Sequence, residues 1–103
     1  TMVGGATLTK LLGTSAWYAP GASAAVLAKS IIMDEKKMYP CCVYLEGEYG
    51  HNDICIGVPA IIGKNGCEKI VELKLNKEEQ ALFDKSAEAT KKTSNLLHDM
   101  NLI

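Results

Sequence analysis

Arginine is absent from the 103 residues, and all eleven basic side chains are lysines. Without a guanidinium, the chain cannot build a planar, bidentate clamp on a carboxylate from its own residues. Positive charge is not in surplus either: eleven basic against twelve acidic side chains leave a formal net charge of -1. Nothing here attracts a polyanion, and no basic cluster is interleaved with aromatics, so no nucleic acid is expected as a partner. The longest apolar stretches, at 24–28 and 54–62, are far shorter than the roughly 20 residues of a spanning helix. No membrane is expected as a partner.

Cysteine is present but unpatterned: Cys41 and Cys42 are adjacent, Cys55 and Cys67 stand alone, and no Cys-x-x-Cys pair occurs. A zinc site needs about four convergent ligands. His51, four residues before Cys55, lies where a loop enters a strand rather than on a helix face. The expectation is no metal, no disulfide and four free thiols in a reducing, cytoplasmic setting. No helix start or basic neighbour marks Cys41 or Cys42 as reactive, so they read as small buried hydrophobes.

Repeats, low-complexity tracts and a secretory leader are also missing, and the first residue is Thr1. Residues 1–103 are expected to be one domain cut from something larger, because they are too few for a complete two-domain nucleotide enzyme.

The patterning that remains is helical, then alternating, then helical again. Val3, Leu8, Leu11 and Leu12 predict a helix over 2–12 that Gly13 ends. A second helix follows, with Thr14 or Ser15 as candidate cap, Ser23, Leu27 and Ile31 spaced by four, and Pro20 at a bend or in the first turn. The pattern turns strand-like near Met38, with a strand over 39–45. Ile54, Ile56, Val58 and Ile61 predict a second strand, and Gly57 and Pro59 predict that it is bulged or at an edge. Asn65-Gly66 turns a hairpin into a strand over 67–75. Asn76 and Glu79 form an Asx capping box for a long helix over 77–98. The predicted fold is α+β: paired N-terminal helices, a three-stranded, largely antiparallel sheet and a long C-terminal helix.

Four segments carry a resemblance. They are Gly13-Thr14-Ser15-Ala16-Trp17-Tyr18-Ala19-Pro20-Gly21-Ala22-Ser23, then residues 39–50 around Val43-Tyr44-Leu45-Glu46-Gly47-Glu48-Tyr49-Gly50, then Ile56-Gly57-Val58-Pro59 through Gly66, and Leu75-Asn76-Lys77-Glu78-Glu79. In this order and at these intervals, the chain resembles the C-terminal, substrate domain of the lactate/malate dehydrogenase family. Ala16 stands where the lactate branch usually carries Thr, which places the resemblance closer to the malate branch.

The resemblance implies oxidation of L-malate to oxaloacetate with NAD as the intact protein's cofactor. It also implies an NAD-binding domain outside this chain, and assembly as a homo-oligomer. On the same grounds Ser15 and Ala16 line the substrate pocket and Pro20 lies next to the cofactor. Each has a plainer alternative: Ser15 as a helix cap, Ala16 and Pro20 as packing.

The proton-relay histidine and carboxylate-clamping arginines of the family have no match here. His51 and His98 lie outside any such stretch, and Gly4-Gly5 opens no glycine-rich dinucleotide turn. No catalytic residue is therefore assigned to this chain, and it is expected to be inactive and to bind no NAD alone. His98 and the Glu78-Glu79 pair suit the two ends of the last helix's dipole. Two alternatives are a lactate dehydrogenase fragment and a stand-alone binding or structural module.

Overall fold

The computed structural model describes residues 2–102. Helix α1 spans Gly4–Leu12 and α2 spans Tyr18–Ile32. Strand β1 covers Lys37–Glu46, and a short 3-10 turn at Glu48–Gly50 leads into β2 at Asn52–Gly63. Strand β3 covers Gly66–Ile70, and α3 runs from Lys77 to Asp99. The three strands form one antiparallel sheet in the order β1-β2-β3.

Local chemistry explains most element ends. Gly13 closes α1 in the left-handed conformation, φ 71°, with its N–H on Thr9 O at 3.0 Å. At the start of α3, Asn76 Oδ1 accepts from Glu79 N at 2.8 Å while Glu79 Oε2 accepts from Asn76 N at 2.9 Å. This is the reciprocal capping box that the spacing predicts.

Helix α2 departs from expectation at its start, because neither Thr14 nor Ser15 caps it. The N-cap is Trp17, whose side chain makes no capping bond. Pro20 supplies the reason. A cap at Thr14 or Ser15 would place Pro20 inside the helix, where it would lack a needed donor and its ring would clash with Ala16 O. With the cap at Trp17, Pro20 is the third helical residue, whose N–H has no intrahelical partner anyway.

Strand β2 lies at the centre of the sheet rather than at its edge. Bulges do occur at its pairings, between Leu45 and Glu46 and between Ile61 and Ile62. Pro59 is tolerated because of where its neighbours stop. Pro59 O accepts from Val71 N at 2.9 Å, so its backbone polar groups face the β3 side, just beyond the last β3 pair, Ala60 with Ile70. The bond that a donor at 59 would make to Val71 O is replaced, because that carbonyl accepts from the Tyr49 hydroxyl. Toward β1, Pro59 stands opposite Pro40. The same end point shortens β3: residues 71–75 leave the ladder, and Leu73 is 51% exposed.

Cross-strand pairs Leu45 with Ile54, Val43 with Ile56 and Cys41 with Val58 put alternating residues on one face. There Leu45, Ile54 and Val58 pack with Ala87 of α3, flanked by Val43, Tyr49, Ile56, Ile70 and Phe83. Helix α2 is pinned to β2 by Ser30, a buried polar residue whose Oγ donates to Ile62 O at 2.9 Å.

Helix α1 contributes nothing to this core, since none of its residues is buried. Leu11 is 79% exposed and Val3, just before the helix, 70%. The radius of gyration, 16.1 Å, exceeds the about 13 Å expected of a compact chain this long.

Candidate functional site

The three residues singled out by resemblance lie together at the junction of α1 and α2. Ser15 and Pro20 are exposed and Ala16 is half-buried. Between them Trp17 is 67% and Tyr18 92% exposed. The first turn of α2 carries no side-chain cap, and its leading amides at Tyr18 and Ala19 have no partner within the helix, while Pro20 has no N–H. Positive dipole charge and free N–H donors suit a small anionic group such as a carboxylate. Farther along α2, Ser23, Val26 and Leu27 face Tyr39 and Pro40 of β1 across a shallow, mostly apolar cleft of about 270 Å³.

A dinucleotide does not fit what is present. Its pyrophosphate is held where a parallel strand turns through glycines into a helix, whereas every strand pairing here is antiparallel. Among the described residues no helix follows a strand through such a turn: α3, which comes after the sheet, begins at the Asn76 capping box.

The structure assembles a second cluster that sequence reasoning missed. His51 Nε2 lies 2.7 Å from Asp84 Oδ1, and Gln80 Nε2 donates to the same oxygen at 2.8 Å. The His51 ring packs on Phe83 at 5.6 Å between centroids, and Tyr49 packs on Phe83 at 5.0 Å. Hydrogen bonds from His51 and Gln80 hold the Asp84 carboxyl below its ordinary range. A signal for it was present. Gln80, Phe83, Asp84 and Ala87 follow the i, i+3, i+4, i+7 spacing of a buried helix stripe, and two polar residues on such a stripe require partners. His51 is a partner 33 residues away, beyond any local pattern.

The four cysteines are free thiols. Cys41 is half-buried and the other three are exposed, so the reading of Cys41 and Cys42 as buried hydrophobes holds in part for Cys41 and fails for Cys42. Burial, and secondarily the Cys67 thiol, push Cys41 upward. Among the described residues no three His, Cys, Asp or Glu side chains converge on a metal position. His98 lies in the last turn of α3 and lines a recess of about 210 Å³ with Tyr44, Asp53 and Cys55. Tyr44 donates to Asp53 Oδ1 at 3.1 Å, and that bond and charge raise its phenol.

Comparison with known proteins matches residues 2–100 to the model of the lactate/malate dehydrogenase alpha/beta C-terminal domain. The malate dehydrogenase of Parabacteroides distasonis is 65% identical over all 103 residues, which cover 33% of its length. Among solved structures, apo malate dehydrogenase from Picrophilus torridus superposes with a TM-score of 0.87 at 45% identity, covering 94% of this chain and 32% of that one. Lactate dehydrogenase from Eimeria maxima, solved with NADH and oxamate, gives a TM-score of 0.91 at 38% identity, covering 97% and 32%. The chain thus spans about a third of the length of the curated relatives it matches.

Proposed function

Since the chain belongs to the lactate/malate dehydrogenase family, matching its C-terminal domain, we propose that it is the substrate-side domain of an NAD-dependent malate dehydrogenase that converts L-malate to oxaloacetate. The observation that carries this reading is 65% identity to a malate dehydrogenase across every residue of the chain. The fold alone does not choose the substrate, because the lactate dehydrogenase superposes at least as well. Identity along the sequence favours malate.

In this reading the α1–α2 junction is one wall of a pocket shared with the rest of the protein. Ser15 and Ala16 leave room for the substrate's second carboxylate, the open first turn of α2 favours its charge, and Pro20 lies toward the cofactor. The dinucleotide, the proton relay and the cationic clamp belong to the remaining two thirds of the relatives' length. The exposed apolar residues of α1 are covered by that remainder and by a second subunit, which makes the protein a homo-oligomer. Its free thiols suit the cytoplasm.

The test follows NADH absorbance in the full-length protein with malate plus NAD and with oxaloacetate plus NADH, beside parallel assays with lactate and pyruvate. Malate is expected to be turned over in preference to lactate. Ala16→Phe should fill the pocket wall and lower kcat/KM on the order of 100-fold, the scale of a misplaced reactant. Full activity in that variant removes Ala16 from the pocket. Preference for lactate replaces the malate reading with the lactate one.

A further inference from the structure

Helix α2 is attached to the rest of the domain by one end. Within its span, Tyr18–Ile32, every residue is exposed except Leu27, which is half-buried, and Ser30, which is fully buried. Toward its start, Ser23 and Val26 border the shallow cleft to β1 instead of closing it. Helix α1, just ahead, buries no residue.

The attached end is bonded twice to the β2–β3 hairpin. Ser30 Oγ donates to Ile62 O at 2.9 Å, and Lys64 N donates to Asp34 Oδ1 at 3.0 Å. Gly63 lies between those two backbone groups, and a Cβ there would come 2.8 Å from the same Asp34 oxygen. Helix tail and hairpin meet too closely for a side chain at that point.

Asp34 is also an unusual helix ending. Asp34 N donates to Ile31 O at 3.2 Å and Glu35 N donates to Ser30 O at 2.9 Å, the paired bonds of a Schellman motif. The residue that Asp34 represents in that motif is left-handed, here with φ 49°, and is usually glycine. Another residue persists there where surrounding contacts over-determine it. The carboxylate's bond to Lys64 N is such a contact, and glycine could not make it.

We infer that Ser30 and Asp34 are positioning residues for the substrate wall: they clamp the far end of α2 and so fix the place of its first turn, with Ser15 and Ala16 just ahead of it. This rests on the proposed pocket at the α1–α2 junction. A helix rises about 1.5 Å per residue, so Pro20 stands about 15 Å from the Ser30 bond. Over that lever, a tilt of about 4° at the clamp carries the first turn through about 1 Å, a misplacement that can cost about 100-fold in rate. The substrate's second carboxylate feels the shift most, because it is the group that this wall receives. The clamp therefore supports the preference for a dicarboxylate over a monocarboxylate substrate.

The test is the ratio of kcat/KM for malate to kcat/KM for lactate in the full-length protein, from which the fraction of folded enzyme cancels. Ser30→Ala and Asp34→Gly should each lower it on the order of tenfold, although Asp34→Gly relieves the left-handed strain. Asp34→Asn keeps an acceptor for Lys64 N and should hold the wild-type ratio. So should Leu45→Ala, which weakens the core without touching α2. If lactate turnover falls below detection, KM for malate is read instead and should rise on the same scale in the first two variants only. An unchanged value in either folded clamp variant overturns the inference, as does an equal loss in Asp34→Asn or Leu45→Ala. Should Ser30→Ala fail to fold, Asp34→Gly decides alone. A wild type without malate preference, or a fully active Ala16→Phe, removes the pocket and the clamp together, whereas a selective wild type with Ala16→Phe impaired and the clamp variants unchanged removes the clamp alone.

Discussion

Leu45→Ala probes whether the small core beneath α3 is what keeps the chain folded. Leu45 is fully buried, stands opposite Ile54, and packs with Val58 and Ala87. Truncation removes three carbons from that contact, about 2.4 kcal/mol at about 0.8 kcal/mol per buried methylene. The sheet on one side and the helix on the other limit collapse, so a cavity term brings the cost to about 3 to 4 kcal/mol, within the range for buried leucines. For a domain of this length that lowers the Tm by about 12 to 30 °C. Urea unfolding of the 103-residue chain, followed by circular dichroism, should show a lower midpoint at unchanged slope. Leu11→Ala is the control, because at 79% exposure it should cost less than about 0.5 kcal/mol in the same chain. A Leu45 penalty under about 1 kcal/mol, or a Leu11 penalty equal to it, refutes the assignment of the core. In the full-length protein the Leu11 penalty should rise if the rest of the protein covers α1.

Asn76→Ala removes one half of the reciprocal cap on α3 and should cost about 1 kcal/mol in urea unfolding. Gly66 has φ 81° with no atom near an added Cβ, so Gly66→Ala should cost about 1 kcal/mol through backbone strain alone, and Gly66→Asn less. The Asp84 carboxyl titrates lower folded than unfolded, so its contribution is present above the unfolded value of 3.8 and lost as pH falls through the folded one. The stability difference between wild type and Asp84→Leu should therefore be larger at neutral pH than in strong acid, and a difference unchanged on acidification would remove the depressed titration. The 103-residue chain alone should show no change in NADH absorbance with malate plus NAD, because it presents no dinucleotide cradle, and measurable turnover would relocate the active site.

Much of this fold was legible because its signals are local. The cap on α3 is written in Asn76 and Glu79, three residues apart, and the hairpin in Asn65-Gly66, where Gly66 carries the positive φ. Pro20 held enough information to place the start of α2, but only once its missing donor is weighed above the capping preference of Ser15. The position of β2 was not legible, since Gly57 and Pro59 argue for an edge unless one knows that β3 stops at Ile70. Length misled in the same way: Val71, Leu73 and Leu75 alternate like a strand, yet the ladder with β2 ends at Ile70, and Leu73 N bonds the Tyr49 hydroxyl instead of β2. In the proposed pocket, resemblance singled out Ser15, Ala16 and Pro20 without defining an opposite wall. The His51–Asp84 contact escaped notice because tertiary packing joined it.

The facing prolines of the sheet bear on how this domain behaves in a crowded solution. Since Pro59 turns its polar backbone toward β3, its partner Pro40 turns its own away from β2, to the open rim of β1. A ten-residue strand with a bare rim is a template on which another chain could add, the first step toward fibrils. Pro40 withholds one donor in the middle of that rim and interrupts the row on which an incoming strand would zip. Replacing it with valine should leave the fold intact while raising thioflavin-positive aggregation of the isolated domain.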